Sequence, residues 1–108
     1  MLRLRVRQTA AEIADHFGLD SQMDVAQEEL AELIQAISKL RRAEKAGLDS
    51  SNKRVRYVEA RCNVSEEMAD VANMLLQLSH LLKNEDMVDF WLDQKLERTL
   101  FRIERGEV

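Results

Sequence analysis

The chain has 108 residues, 45% hydrophobic and 33% charged, with no proline, three glycines and one cysteine. That suffices for one domain, residues 1–108, around a single core, and it excludes an extended disordered chain. The net charge of −4 argues against nonspecific binding to nucleic acid or an anionic membrane, and the lone Cys62 excludes an internal disulfide and fits a reduced, cytoplasmic setting.

The scarcity of helix breakers points to an all-α chain of four helices. The opening residues, Met1 to Arg7, are basic with no apolar run behind them, so no signal peptide is expected. The longest apolar stretches fall short of the roughly 18 residues of a membrane span. A first helix is predicted over residues 6–17, with Ala10, Ile13, Ala14 and Phe17 at helical spacing and Gly18 as its end. A second starts near Asp20 or Ser21, with Asp24 as a capping-box partner of Ser21, and runs to Ala46, where Gly47 stops it. Residues 48–63 form the least regular stretch, with 54–60 a short helix or an ordered loop. A third helix is expected over 65–84, capped by Asn63 or Ser65, and a fourth over 86–105, closed by Gly106.

The second and third of these helices carry nearly the same acidic string. Residues 28–32 read E-E-L-A-E and residues 66–70 read E-E-M-A-D, each followed by an apolar stretch. A helix advances about 100° per residue, so Glu29 falls inside the apolar arc that holds Val25, Leu33, Ala36 and Leu40. Glu32 lies on the edge of that arc, at about −60° from Glu29, and Glu28 lies further toward solvent. Glu67 repeats the placing of Glu29 among Val71, Met74, Leu78 and Leu81, Asp70 that of Glu32, and Glu66 that of Glu28. An ionised carboxylate in an apolar stripe costs several kcal/mol unless it is paired or binds metal. Two such helices can bring Glu29, Glu32, Glu67 and Asp70 around one divalent cation. A di-iron site would need E-x-x-H on two helices, and residue 13 before His16 is Ile, residue 77 before His80 is Gln. An all-oxygen set suits Mg²⁺ or Mn²⁺ instead.

On the fourth helix Lys95, Arg98, Arg102 and Arg105 align beside the apolar Leu92, Leu96, Leu100 and Ile103. Lys95 and Arg98 are candidates to clamp phosphates, whereas Arg102 and Arg105 read better as a solvated face. Lys39, seven residues after Glu32, is a further phosphate candidate, and Lys53, Arg54, Arg56 and Arg61 make the 48–63 stretch basic. Trp91 and Phe101 are expected to be core or interface anchors, and His16 and His80 surface or helix-end residues.

The pattern E-E-x-x-E followed by E-x-x-D resembles that of the MazG-like nucleotide pyrophosphohydrolases of the all-α NTP pyrophosphatase superfamily. Residues 16–22 resemble the segment leading into the first motif helix, residues 28–39 motif one, residues 66–71 motif two, and residues 95–99 the closing K-x-x-R helix. The resemblance covers most of the chain. It implies an all-α, four-helix bundle-like MazG-type fold assembled as a homo-oligomer, a homodimer or a dimer of dimers. It implies Mg²⁺-dependent cleavage of a ribo- or deoxynucleoside triphosphate to the monophosphate and pyrophosphate, by metal-activated water attack at the α-phosphorus. On that likeness Glu29, Glu32, Glu67 and Asp70 are the metal ligands, Glu28 and Glu66 catalytic residues that orient water, and Lys95 and Arg98 phosphate contacts. Asn73, three residues beyond Asp70, is a candidate to read sugar or base or to complete the metal shell. Two other readings stand beside the hydrolase: a non-catalytic helical interaction or regulatory module with acidic helices, and a metal-binding protein without turnover.

Overall fold

A computed structural model describes residues 2–107, with side chains from residue 4 onward. It contains four helices: α1 Leu2–Phe17, α2 Leu19–Ala46, α3 Ser51–Leu82 and α4 Glu85–Glu104, and no strand among the described residues. The all-α expectation is met.

Two glycines set the first breaks. Gly18 and Gly47 have φ of 85° and 88°, a region that L side chains rarely adopt, so the helices end where these residues stand. The expected capping box at Ser21 does not form. The helix starts directly after Gly18, at Leu19, and the Ser21 Oγ donates to the neighbouring Gln22 Oε1.

The largest departure from expectation lies in residues 48–63. The break there spans only Gly47 to Ser50, and α3 then continues unbroken for 32 residues. Ser50 is the cap, its side chain accepting from the Lys53 N–H at 3.2 Å. Asn63 and Ser65 are interior positions, and the Ser65 hydroxyl turns back to the Arg61 carbonyl. Nothing between Ser51 and Leu82 interrupts the helix, and that span contains neither glycine nor proline.

Helices of 28 and 32 residues are about 42 and 48 Å long at 1.5 Å per residue. They form an antiparallel hairpin that accounts for the 49 Å long axis of the molecule. Residue 22 faces 77, 29 faces 70 and 32 faces 67, a constant register along the pair. Helix α1 runs along α3 and touches α2 more lightly. Among the described apolar residues, those fully buried are Ala10, Ala14, Ala26, Ala36 and Met74. Small side chains let the three helices approach closely, and the centre is finished by a buried amide pair. The Gln22 Nε2 donates to the Gln77 Oε1 at 2.6 Å, and the Gln77 Nε2 donates to the Asn73 Oδ1 at 3.0 Å.

Helix α4 departs after a tight turn at Lys83 and Asn84. Lys83 is in the left-handed region at φ 53°, and the Asn84 N–H reaches back to the Ser79 carbonyl. Of the three other helices α4 packs only against α3, and none of its residues is buried. The four helices therefore do not close into a bundle within one chain. The radius of gyration is 17.8 Å, against about 13 Å for a compact domain of this length. No described helix is long and apolar enough to cross a membrane.

Candidate metal centre

The antiparallel register brings the two acidic strings face to face. Each contributes its inner and marginal carboxylate, and one oxygen from each of Glu29, Glu32, Glu67 and Asp70 lies within 4.8 Å of the other three. The inner pair, Glu29 and Glu67, is half-buried, while Glu32 and Asp70 are exposed at the mouth. That division matches the angular positions calculated from the sequence. The Oε2 atoms of Glu29 and Glu67 are buried and have no hydrogen-bond partner among the described residues. Buried polar atoms are ordinarily paired, so two buried carboxylate oxygens without a partner are groups that a donor or a cation would satisfy.

The electrostatics point the same way. Glu29 has its pKa raised above 4.5, first by desolvation and then by the charges of Glu32, Asp70 and Glu67. Glu67 is raised likewise, by desolvation and by Glu32 and Asp70, with a smaller push from Glu66. In the protonated form Glu29 can share its proton with Asp70, and Glu67 with Glu32. A divalent cation would replace those protons and relieve the mutual repulsion. The donor set is all carboxylate oxygen, which fits a hard cation.

Glu28 and Glu66 are exposed and stand outside the four-carboxylate group. Asn73 sits one turn beyond Asp70, its amide oriented by Gln77, and lines a recess of about 300 Å³ against Val6, Ala10 and Ile13 of α1. Lys39 lines a cleft of about 500 Å³ on the other side of the carboxylates, toward the hairpin loop. Lys95 and Arg98 are exposed on α4 and share no ion pair or hydrogen bond with the carboxylate group among the described residues.

Of the basic residues in the 48–63 stretch, three are occupied locally. Lys53 pairs with Asp49 at 2.9 Å, Arg54 donates to the Leu48 carbonyl and the Ser51 hydroxyl, and Arg61 lies 5.8 Å over the Tyr57 ring. Arg56 is turned into the Lys39 cleft. Sequence reasoning missed the Gln22–Gln77 pair. The available signal was position: Gln22 precedes Glu29 by seven residues and so falls on the same buried stripe.

The fold and site thus define an all-helical protein whose central hairpin can hold a metal ion. The chain matches no family model, no curated protein and no solved structure.

Proposed function

We propose that the protein is a Mg²⁺-dependent nucleoside triphosphate pyrophosphohydrolase of the MazG-like kind, releasing the nucleoside monophosphate and pyrophosphate. The observation that carries this reading is the convergence of Glu29, Glu32, Glu67 and Asp70 within 4.8 Å, with two buried oxygens left unpartnered. These four residues would hold Mg²⁺, or Mn²⁺ in its place. A bound Mg²⁺ supplies charge neutralisation of the triphosphate and polarises the phosphorus toward attack. Glu28 and Glu66, on the solvent side of each string, orient the attacking water and accept its proton. Lys39 balances charge on the leaving pyrophosphate. The Asn73 amide, held in orientation by Gln77, is placed to read the sugar or base from the α1 side.

The exposed α4 supports a homo-oligomer. Leu92, Leu96, Leu100 and Ile103 fall within about 80° of one another around α4, and each is more than half exposed in the single chain, so the helix carries an uncovered apolar stripe. A second copy laid against α4 covers that face, and it is also what would bring Lys95 and Arg98 to a hairpin carrying a triphosphate.

The test is a panel of ribo-, deoxy- and modified nucleoside triphosphates, with product analysis with and without Mg²⁺. Pyrophosphate release that needs Mg²⁺ and disappears in Glu67→Gln is the expected result. No Mg²⁺-dependent product from any member of the panel sinks the proposal. Metal binding in that case leaves a metal-binding protein without turnover, and its absence leaves a helical interaction module.

A further inference from the structure

The cleft beside the metal centre is cationic, in a chain whose net charge is −4. Lys39, Arg42 and Arg56 line it, with Glu59 as the one carboxylate and Asn63 at the end nearer the metal centre. Its floor is made of alanines, Ala43, Ala46 and Ala60, and that is why the hairpin has a space of about 500 Å³ here. No ion pair among the described residues joins Lys39, Arg42 or Arg56 to any carboxylate, Glu59 included. This contrasts with Lys53, Arg54 and Arg61 on the same stretch of α3, which are tied to the loop or to Tyr57.

The cleft continues the groove in which the carboxylates lie. With Glu29 at zero, Lys39 falls at about −80° and Ala43 at about −40° around α2. With Glu67 at zero, Asn63 falls at about −40° and Arg56 at about −20° around α3. These are the sides that carry Glu32 and Asp70. Along the axis Lys39 is about 10 Å from Glu32 and Arg56 about 16 Å from Glu67, counted at 1.5 Å per residue. Three unpaired cations around a concave space select a multiply charged anion, and guanidinium groups suit phosphate oxygens in particular.

We propose that the outer phosphates of the substrate lie in this cleft, on Lys39, Arg42 and Arg56. The polyphosphate then runs along the α2–α3 groove, inner phosphate at the carboxylates, terminal phosphate toward the hairpin loop and nucleoside toward α1. This direction of the substrate rests on the hydrolase reading, whereas the cleft as an anion site does not.

The experiment separates the two. Calorimetric titration of the full chain with inorganic pyrophosphate in EDTA, at low salt, probes the cleft without metal or nucleotide. Arg42 and Arg56 are exposed and make no ion pair or side-chain hydrogen bond among the described residues, so Arg42→Gln/Arg56→Gln should fold, and circular dichroism confirms it. Wild type and Glu67→Gln should bind pyrophosphate, and the double variant at least tenfold more weakly. Absent binding in the wild type, or equal binding by the double variant, overturns the proposal. With any nucleotide that the panel shows to be hydrolysed, the double variant should raise KM at least tenfold, and an unchanged KM overturns the assigned direction. A panel without turnover removes the hydrolase reading and leaves the pyrophosphate titration to decide the cleft.

Discussion

Glu67→Gln tests the metal centre without requiring turnover. The substitution keeps the side-chain volume and the helix, and removes one charge and one ligand oxygen from a half-buried position facing Glu32 and Asp70. A ligand that binds only the folded state stabilises it by about 2.7 kcal/mol at a concentration 100 times its Kd. For a domain of this size each kcal/mol moves Tm by about 4 °C, so wild-type protein near saturation with Mg²⁺ should melt about 10 °C higher than in EDTA. If losing one ligand weakens binding by about 100-fold, the same Mg²⁺ stabilises the variant by only about 0.4 kcal/mol, less than about 2 °C. In EDTA the order reverses. The variant lacks a carboxylate held among three others, so it should melt above the wild type. Thermal melts followed by circular dichroism at fixed protein concentration, over a Mg²⁺ titration, give both comparisons. A wild type indifferent to Mg²⁺ up to about 10 mM, or a variant with the same Mg²⁺ response, would refute the argument.

Three further outcomes follow from the same structure. Glu29 and Glu67 have folded-state pKa values above 4.5, so the folded state holds their protons more tightly, and the metal-free protein should lose stability as pH rises from about 4.5 through the raised values. Melts of wild type and Glu29→Gln/Glu67→Gln in EDTA across that range should diverge, with the variant increasingly favoured, and parallel curves would remove the electrostatic account. Leu96→Glu/Leu100→Glu places charges on the exposed face of α4; at about 1.5–3 kcal/mol per buried leucine it should weaken self-association by at least a hundredfold. Sedimentation should then show a 12.5 kDa species with its helix content kept, and a wild type already monomeric at micromolar concentration would exclude the oligomer. Gln77→Leu leaves the buried Gln22 amide without its acceptor, at a cost of about 1–3 kcal/mol in urea unfolding.

What could be read in the sequence depended on which force fixed each feature. Gly18 and Gly47 marked helix ends correctly because a positive φ is a local requirement. The four carboxylates were legible because i, i+3 spacing on two helices carries its own angular information, and the structure places all four together. The start of α3 was not legible. Its half-buried positions there are Lys53, Tyr57, Ala60 and Asn63, so the helical period is present but hardly any strongly apolar residue marks it. The basic residues of that stretch looked alike in sequence, and only local geometry distinguishes Arg56 from Arg54, which the loop carbonyl of Leu48 holds. The course of α4 was equally hidden. It depends on a two-residue turn with Lys83 in the left-handed region, which composition does not reveal.

The buried amides explain how the carboxylates find one another. A hairpin cored by alanines is weakly specified along its axis, because one small residue packs much like the next when a helix slides by a turn. Gln22 and Gln77, 4% and 1% exposed, remove that freedom. A shift of one turn separates them and takes from the buried Gln22 Nε2 its acceptor and from the Gln77 Oε1 its donor, while the native register pairs them and sets residue 29 opposite 70 and 32 opposite 67. A buried polar pair of this kind adds little stability over apolar residues of similar size, so what it contributes is specificity of register. The double variant Gln22→Leu/Gln77→Leu separates the two contributions. Its stability in EDTA should equal or exceed that of the wild type, because no amide is left unpaired. Its Mg²⁺-dependent rise in Tm should be smaller, because the carboxylates are no longer held in one register. A double variant that keeps the full Mg²⁺ response would show that the helix ends and the α1 contacts fix the register unaided.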